Sequence, residues 1–546
     1  MTRYHRSAAA AAMLLLAACG GGSETTAVIP PVVQPPTVQP PVLGQTYRST
    51  GRAAAGDVFV HLFEWRWTDI ARECEAVLGP LGYKGVQISP PSEHAIIRNA
   101  SNFFPWWQRY QTVSYKLDQS RSGTAAELTD MVTRCKAVGV DIYADVVINH
   151  MTAGSGTGSA GSVYTKYSYP AVPFTQLDFN TPCGIDSYAV ASQVQNCELV
   201  GLSDLQTASE TVRAKIADYL IALHALGIAG YRIDAAKHVP AADLEAILTR
   251  VNTAAAAAGR PRPYVFLEII YGTGDAVTPQ QYYGVGFASG GATDITDFTY
   301  GNRISDAFLG RNSFTLSGVL QAFDTELLPS DKSVVFIDNH DTQRGGALFY
   351  ADSTYELAAI MMLAHSQGYV SLMSSFGFDR SGQLTRDAGP ASDGNGNTIP
   401  IYNPDGSSRC TTALGAAQVT SWICEHRRPA IANMVAFRKA AAGTPTTLCG
   451  RTSVRIDGDP NRVAFCRDGA GFLAMSLSPT AGTSTLPTRL PAGRYCNVAQ
   501  HAFTSATGAS PATCTGAPVV VASDGSASIS LTRRSAVALH TRARLD

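Results

Sequence analysis

The sequence predicts a closed (β/α)8 barrel of the TIM type, with a small domain inserted after the third strand and a C-terminal antiparallel β-sandwich domain. Three observations carry this reading. Eight short apolar runs, at 58–63, 85–89, 141–148, 231–234, 264–270, 293–298, 334–338 and 369–374, alternate with helical stretches. The connection across 151–205 is rich in Gly and Ser and far exceeds the ~15 residues that structureless loops usually reach. After residue 440 short alternating runs replace the helical pattern, at 462–466, 471–477, 519–522 and 526–531.

Continuous apolar strands separated by helices indicate a parallel sheet covered on both faces, and eight such units indicate closure. The helical stretches fall at 68–78, 125–138, 209–225, 240–255 and 355–366, with a last one near 431–440. The barrel therefore spans 57–150 and 206–440, the inserted domain 151–205 and the terminal domain 441–546. No long-period repeat of the solenoid kind is present.

The N-terminus reads as an export signal. Arg3 and Arg6 precede an apolar run from Ala8 to Ala18, too short to cross a bilayer. The run ends in Leu16-Ala17-Ala18-Cys19 followed by Gly20-Gly21-Gly22-Ser23, which resembles a bacterial lipobox. On that reading 1–18 is a signal peptide and Cys19 becomes the lipidated N-terminus; an ordinary signal peptide is the alternative. Residues 19–56 follow as a linker, punctuated by Pro30, Pro31, Pro35, Pro36, Pro40 and Pro41. Setting Cys19 aside leaves ten of the eleven cysteines, an even number that suits disulfides in an exported protein. A formal net charge of −1 gives no field to attract nucleic acid or an anionic membrane, so membrane contact is expected only through Cys19. Charged residues make up 16% of the chain, below the ~25% of average domains, as suits an uncharged substrate.

Catalytic groups of this fold sit at the C-terminal ends of the strands. Those ends carry Asn149-His150, Arg232 with Asp234, Glu268, and Asp338-Asn339-His340-Asp341. Retaining glycosidases need a nucleophilic carboxylate and an acid/base carboxylate about 5–5.5 Å apart. Asp234 and Glu268, on adjacent strands four and five, can meet at that spacing. Arg232 shares a strand face with Asp234 and keeps it ionised. Asp341 supplies a third negative charge for an oxocarbenium-like transition state, and His150 and His340 hydrogen bonds to ring hydroxyls.

Asp145-Val146-Val147-Ile148-Asn149-His150, Gly230-Tyr231-Arg232-Ile233-Asp234-Ala235-Ala236-Lys237-His238, Phe266-Leu267-Glu268 and Phe336-Ile337-Asp338-Asn339-His340-Asp341 resemble the four signature regions of the α-amylases, in order. Val60-His61-Leu62-Phe63-Glu64-Trp65, Gln87-Ile88-Ser89-Pro90-Pro91 and Trp106-Trp107-Gln108-Arg109-Tyr110 resemble the animal-type branch, also found in bacteria. The resemblance implies retaining endo-hydrolysis of α-1,4-glucans such as starch and glycogen by a monomer. It implies Asp234 as nucleophile, Glu268 as acid/base and Asp341 as transition-state stabiliser. Substrate contacts or their supports would come from Asp145, His150, Arg232, Lys237 and His340, with Trp106 and Trp107 as a sugar-stacking platform and Gln111 nearby. It implies a structural Ca2+ held by Asn149, Gln195, Asp204 and His238, the last through its backbone carbonyl. It also implies the disulfides Cys74–Cys135, Cys183–Cys197, Cys410–Cys424 and Cys496–Cys514, leaving Cys449 and Cys466 to pair in the terminal domain.

Two departures from the branch stand out. Its activating chloride needs a basic residue where this chain has Ser371, so chloride independence is expected despite Arg232 and Asn339. The glycine-rich loop after Gln343-Arg344-Gly345 is shortened. Competing readings are a sister transglycosylase or maltogenic exo-enzyme on the same scaffold, and a glycan-binding lipoprotein without catalysis. The intact Asp234, Glu268 and Asp341 speak against the last.

Overall fold

The computed structural model describes residues 49–98, 104–286, 292–411, 421–507 and 510–546. The signal run, Cys19 and the linker prolines lie outside the described residues. Eight parallel strands close into a barrel: Val58–Leu62, Gly85–Ile88, Asp141–Val146, Gly230–Ile233, Tyr264–Leu267, Thr293–Thr296, Ser333–Val335 and Tyr369–Ser374, each paired with its sequence neighbours and the eighth with the first. Several end earlier than the apolar runs suggest, the fifth at Leu267 and the seventh at Val335. The remaining apolar residues leave the hydrogen-bonded ladder at the mouth, which places Glu268 and Asp338 just beyond it. The interior is filled rather than hollow: Phe59, Tyr143, Tyr264, Phe266, Val334 and Tyr369 form one buried cluster.

The helix expected at 68–78 is an α-helix, Trp67–Glu73, continuing as a π-turn, Cys74–Leu78. The helix Ala125–Ala137 begins on a capping box, with Thr124 and Glu127 bonding each other's backbone N–H groups, and Cys135 returns to Cys74 as a disulfide. The other four expected bridges, Cys183–Cys197, Cys410–Cys424, Cys449–Cys466 and Cys496–Cys514, are also present.

The inserted domain leaves and rejoins the barrel at one point. Its last strand, Ser203–Asp204, pairs antiparallel with His150–Met151, so Asp204 lies opposite His150. The terminal domain is built of antiparallel strands, as expected. In its main sheet Ala464, Cys466, Phe472, Ala474, Val537 and Leu539 face the domain's own core. The intervening Val463, Phe465, Leu473, Met475, Ala536 and Ala538 join the barrel's core. Both faces are buried, against different partners.

One segment departs from expectation. Residues 49–56, read as the end of the linker, pack on the barrel. Thr50 Oγ1 donates to Asp294 Oδ2 at 2.8 Å. Arg52 pairs with Asp57 and Asp141 at 3.6 and 3.5 Å and lies 5.3 Å from the centre of the Tyr264 ring. These contacts join residues far apart in sequence, which no local pattern announces.

Beneath the barrel wall, the fully buried Glu73 accepts hydrogen bonds from His426 Nε2 and Arg427 Nε, each at 2.7 Å, and from Tyr402 Oη at 2.6 Å. Burial resists its ionisation, but these partners win and hold its pKa down to about 2. Its stabilising effect is therefore present above the unfolded carboxylate range and is lost as pH falls toward 2. Glu73→Ala is expected to cost about 3–5 kcal/mol in a denaturant titration, because it strands buried charge. Glu75→Ala removes only the exposed pair with Arg134 and is expected to cost less than about 1 kcal/mol.

Candidate active site

The mouth of the barrel is organised around one guanidinium. Arg232, third residue of strand four and opposite Asp145 in register, is 3% exposed. Its Nη1 lies 2.6 Å from Asp145 Oδ1 and 2.9 Å from Asp234 Oδ1. Its Nη2 faces Glu268 Oε1 as a close ion pair, off the axis of a hydrogen bond. Three carboxylates from strands three, four and five thus share one fixed positive charge. Asp145 is further held by Tyr110 Oη at 3.0 Å and Gln87 Nε2 at 3.4 Å. Glu268 Oε2 accepts from the Ala235 N–H at 3.0 Å. That donor is aimed by a left-handed Ala235, with φ +48°, a conformation that costs a residue with a Cβ and recurs at functional sites.

The carboxylates differ electrostatically. Burial raises Asp234 to about 6 against the pull of Arg232, so it is ionised at neutral pH. Burial raises Glu268 too, and the charges of Asp234 and Asp341 reinforce this. Asp341 goes the other way: burial is outweighed by the charge and hydrogen bond of His340 and by Arg232 and Arg344. His340 Nε2 lies 3.1 Å from Asp341 Oδ2, whose side chain is 41% exposed and so open to the cleft. The His340 ring is held between Tyr110 and Phe63, each stacked with centroids 5.0 Å away, with the edge of Trp106 at 5.4 Å.

The other expected residues fall around this centre. Trp106 and Trp107, both half-buried, open the short 3-10 helix Trp106–Tyr110. Gln111 Oε1 accepts from Thr152 Oγ1 at 2.8 Å, which ties the platform to the inserted domain. His150 is buried, with Nε2 3.1 Å from the Tyr110 carbonyl. Lys237 Nζ pairs with Asp275 at 2.6 Å and lies 4.6 Å from the Tyr188 ring centre. Arg232, Asn339 and Ser371 line a void of about 20 Å³, in whose lining Arg232 is the only Lys or Arg among the described residues.

A second group forms where the inserted domain meets the barrel. His238 Nδ1 bonds the Val194 carbonyl at 2.7 Å, setting strand four's exit against the helix Ala191–Asn196 that carries Gln195. Asp204 is 3% exposed and has no ion pair among the described residues. Its carboxylate accepts from Asn180 Nδ2 at 2.7 Å, which does not offset burial, and burial pushes it up to about 7. A buried carboxylate without a cation fits a hard metal ion. No cluster of three His, Cys, Asp or Glu occurs among the described residues, so the other ligands here would be amide and main-chain oxygens, as calcium accepts.

Tyr110, Asp275 and Arg344 stand in the site without an individual role legible in the sequence. Tyr110 stood within a quoted motif, whereas Asp275 lies in a polar loop with no pattern to single it out.

Known proteins resemble this chain over most of its length. A family model described as the α-amylase catalytic domain matches residues 81–268. An α-amylase of Thermomonospora curvata is 43% identical over 89% of this chain and 74% of its own length. That of Tribolium castaneum is 42% identical over 90% and 96%, and the pancreatic α-amylase 2a5 of Mus musculus 39% over 91% and 96%. The structure of α-amylase I from Eisenia fetida, 35% identical, superposes with a TM-score of 0.77 over 91% of this chain and 99% of its own. A Glu-to-Gln variant of that enzyme has been solved with maltohexaose. With a closed barrel, carboxylates gathered on Arg232 and relatives matched over most of its length, the chain belongs to the α-amylase family of glycoside hydrolases.

Proposed function

We propose that the chain cleaves internal α-1,4-glucosidic bonds with retention, using Asp234 as nucleophile, Glu268 as acid and then base, and Asp341 as stabiliser of the transition state. The observation that carries this is the shared guanidinium: Arg232 contacts both Asp234 and Glu268, which keeps the two carboxylates neighbours, as a retaining pair must be. Asp234 attacks the anomeric carbon while the Glu268 proton passes to the departing glycosidic oxygen. The resulting ester removes the negative charge of Asp234. Glu268 then ionises more readily and takes a proton from the incoming water, which releases the sugar with its original anomeric configuration. Asp341, held ionised and open to the cleft, faces the positive charge that develops on the sugar ring. His340, His150 and Lys237 orient hydroxyls, Asp145 and Gln111 support the site, and Trp106 and Trp107 present faces for glucose rings. Maltohexaose on the Eisenia fetida enzyme supports a linear maltooligosaccharide as ligand.

Asn149, Gln195, Asp204 and His238 would hold Ca2+, which would compensate the buried charge of Asp204 and clamp the inserted domain. Ser371 supplies no positive charge beside Arg232, which supports chloride independence. The five disulfides agree with export. Lipidation at Cys19 would tether a monomer to the envelope, and Cys19→Ser would then release active enzyme to the medium; unchanged fractionation would argue against the tether.

Asp234→Asn is expected to lower kcat on soluble starch by at least ~10³-fold with glucan binding kept, measured by turnover and by equilibrium binding. Retained turnover would remove Asp234 from its role. Dialysis against a chelator in halide-free buffer is expected to lower Tm, with calcium restoring it and chloride leaving the rate unchanged. Asp204→Asn is expected to abolish the calcium-dependent part of Tm.

A further inference from the structure

Arg344 is a buried cation with no carboxylate at ion-pair distance among the described residues. It follows Asp341 by three residues, its N–H bonds the Asp341 carbonyl at 3.0 Å, and it is 7% exposed. Its guanidinium carbon lies 4.2 Å from the Phe378 ring centre, 4.9 Å from Trp106, 5.2 Å from Phe376 and 5.6 Å from Phe63. Nη1 donates to the His340 carbonyl at 2.6 Å and Nε to the Arg386 carbonyl at 3.1 Å, while Nη2 is buried and has no hydrogen-bond partner among the described residues. A guanidinium in such a cage is held by ring faces, which a Lys ammonium cannot reproduce because it lacks the flat group.

The cage joins two parts of the site that the sequence keeps far apart. Trp106 touches both Arg344 and His340, and His340 carries Asp341. The turn itself is fastened from outside: Arg380 reaches the Gln343 carbonyl and the Ala347 carbonyl, the latter at 2.8 Å, and Arg311 holds the Gly346 carbonyl at 2.7 Å. The shortened loop after Gly345 is thus a fixed turn built on Arg344.

We propose that Arg344 is a positioning residue for hydrolysis, locking the Trp106 platform and the His340–Asp341 pair into one rigid unit. This rests on the roles given above to Trp106 and Asp341. The bland alternative is a core arginine that merely stabilises the fold, and the test must separate the two. Burial lowers Arg344 to about 10, so it is charged throughout the working range. The groups facing it electrostatically are Asp341, Tyr350, Glu64 and Asp387. Those facing Asp341 are His340, Arg232 and Arg344, with Glu268 and Asp234 opposing. Removing the charge of Arg344 therefore makes Asp341 easier to protonate.

The test measures kcat, KM and the pH profile of kcat/KM on a defined maltooligosaccharide for three variants, with Tm recorded for each. Arg344→Met is expected to raise KM about tenfold and to steepen the acid limb below the Asp234 step near 6, as Asp341 begins to protonate there. Arg344→Lys is expected to restore the acid limb while KM stays high, because charge returns without the stacking plane. Phe378→Leu, which takes away the nearest ring, is expected to raise KM with the acid limb unmoved. Variants whose KM and pH profile stay at wild-type values, or whose only change is a fall in Tm, would overturn the proposal. Trp106→Ala and Asp341→Asn run in parallel: full activity in both would discard the roles given to those residues, separately from any result at Arg344.

Discussion

A buried positive charge that cannot be neutralised is the constraint on which the rest of the site depends. Three carboxylates in a desolvated barrel mouth would repel one another or take up protons. Arg232 counters the repulsion, because its guanidinium stays charged and its planar fork meets several oxygens at once. Burial still raises the carboxyls of Asp145, Asp234 and Glu268, and the three proposed catalytic carboxylates differ in state. Asp234 remains an anion at neutral pH, Glu268 is pushed toward the protonated form, and Asp341, further out beside His340, is held ionised. Division of labour between like groups follows from where each sits relative to one cation.

The barrel supplies the rigidity this needs. Parallel register puts Arg232 level with Asp145 on strand three, and the next residues of strands four and five carry Asp234 and Glu268 out of the ladder at the same height. The apolar filling beneath them fixes the strands from below. Around the rim, packing does the positioning: Tyr110 and Phe63 clasp His340, and the inserted domain is stitched back at His150 and Asp204. The candidate calcium group lies at that seam, so its contribution would be to hold the wall of the cleft in place.

What could be read from the sequence was whatever is local. Apolar runs gave the eight strands, and carboxylates just past those runs gave Asp234, Glu268 and Asp341. In the terminal domain Ser526–Leu531 alternates as a half-buried strand does, whereas the main sheet, buried on both faces, reads as continuous apolar runs. Contacts between distant segments left no such trace. Thr50 and Arg52 looked like linker, because only the folded barrel brings Asp294, Asp141 and Tyr264 to them. Glu73 looked like an ordinary helix carboxylate until His426 and Arg427 closed on it. Arg344 was visible in a motif, but the four rings that surround it come from separate stretches of the chain. Strand ends were set by hydrogen bonding at the mouth, which hydrophobicity does not record.

The central claim is that Asp234 and Glu268, held together on Arg232, act as nucleophile and acid/base of a retaining endo-hydrolase. A timed digest of soluble starch, with products sized by chromatography and their anomeric form read by NMR within the first minutes, tests it most directly. The account predicts a rapid fall in chain length and short linear oligosaccharides released as the α-anomer. Initial release of the β-anomer would contradict it, because a single displacement by water would leave Asp234 no role as nucleophile.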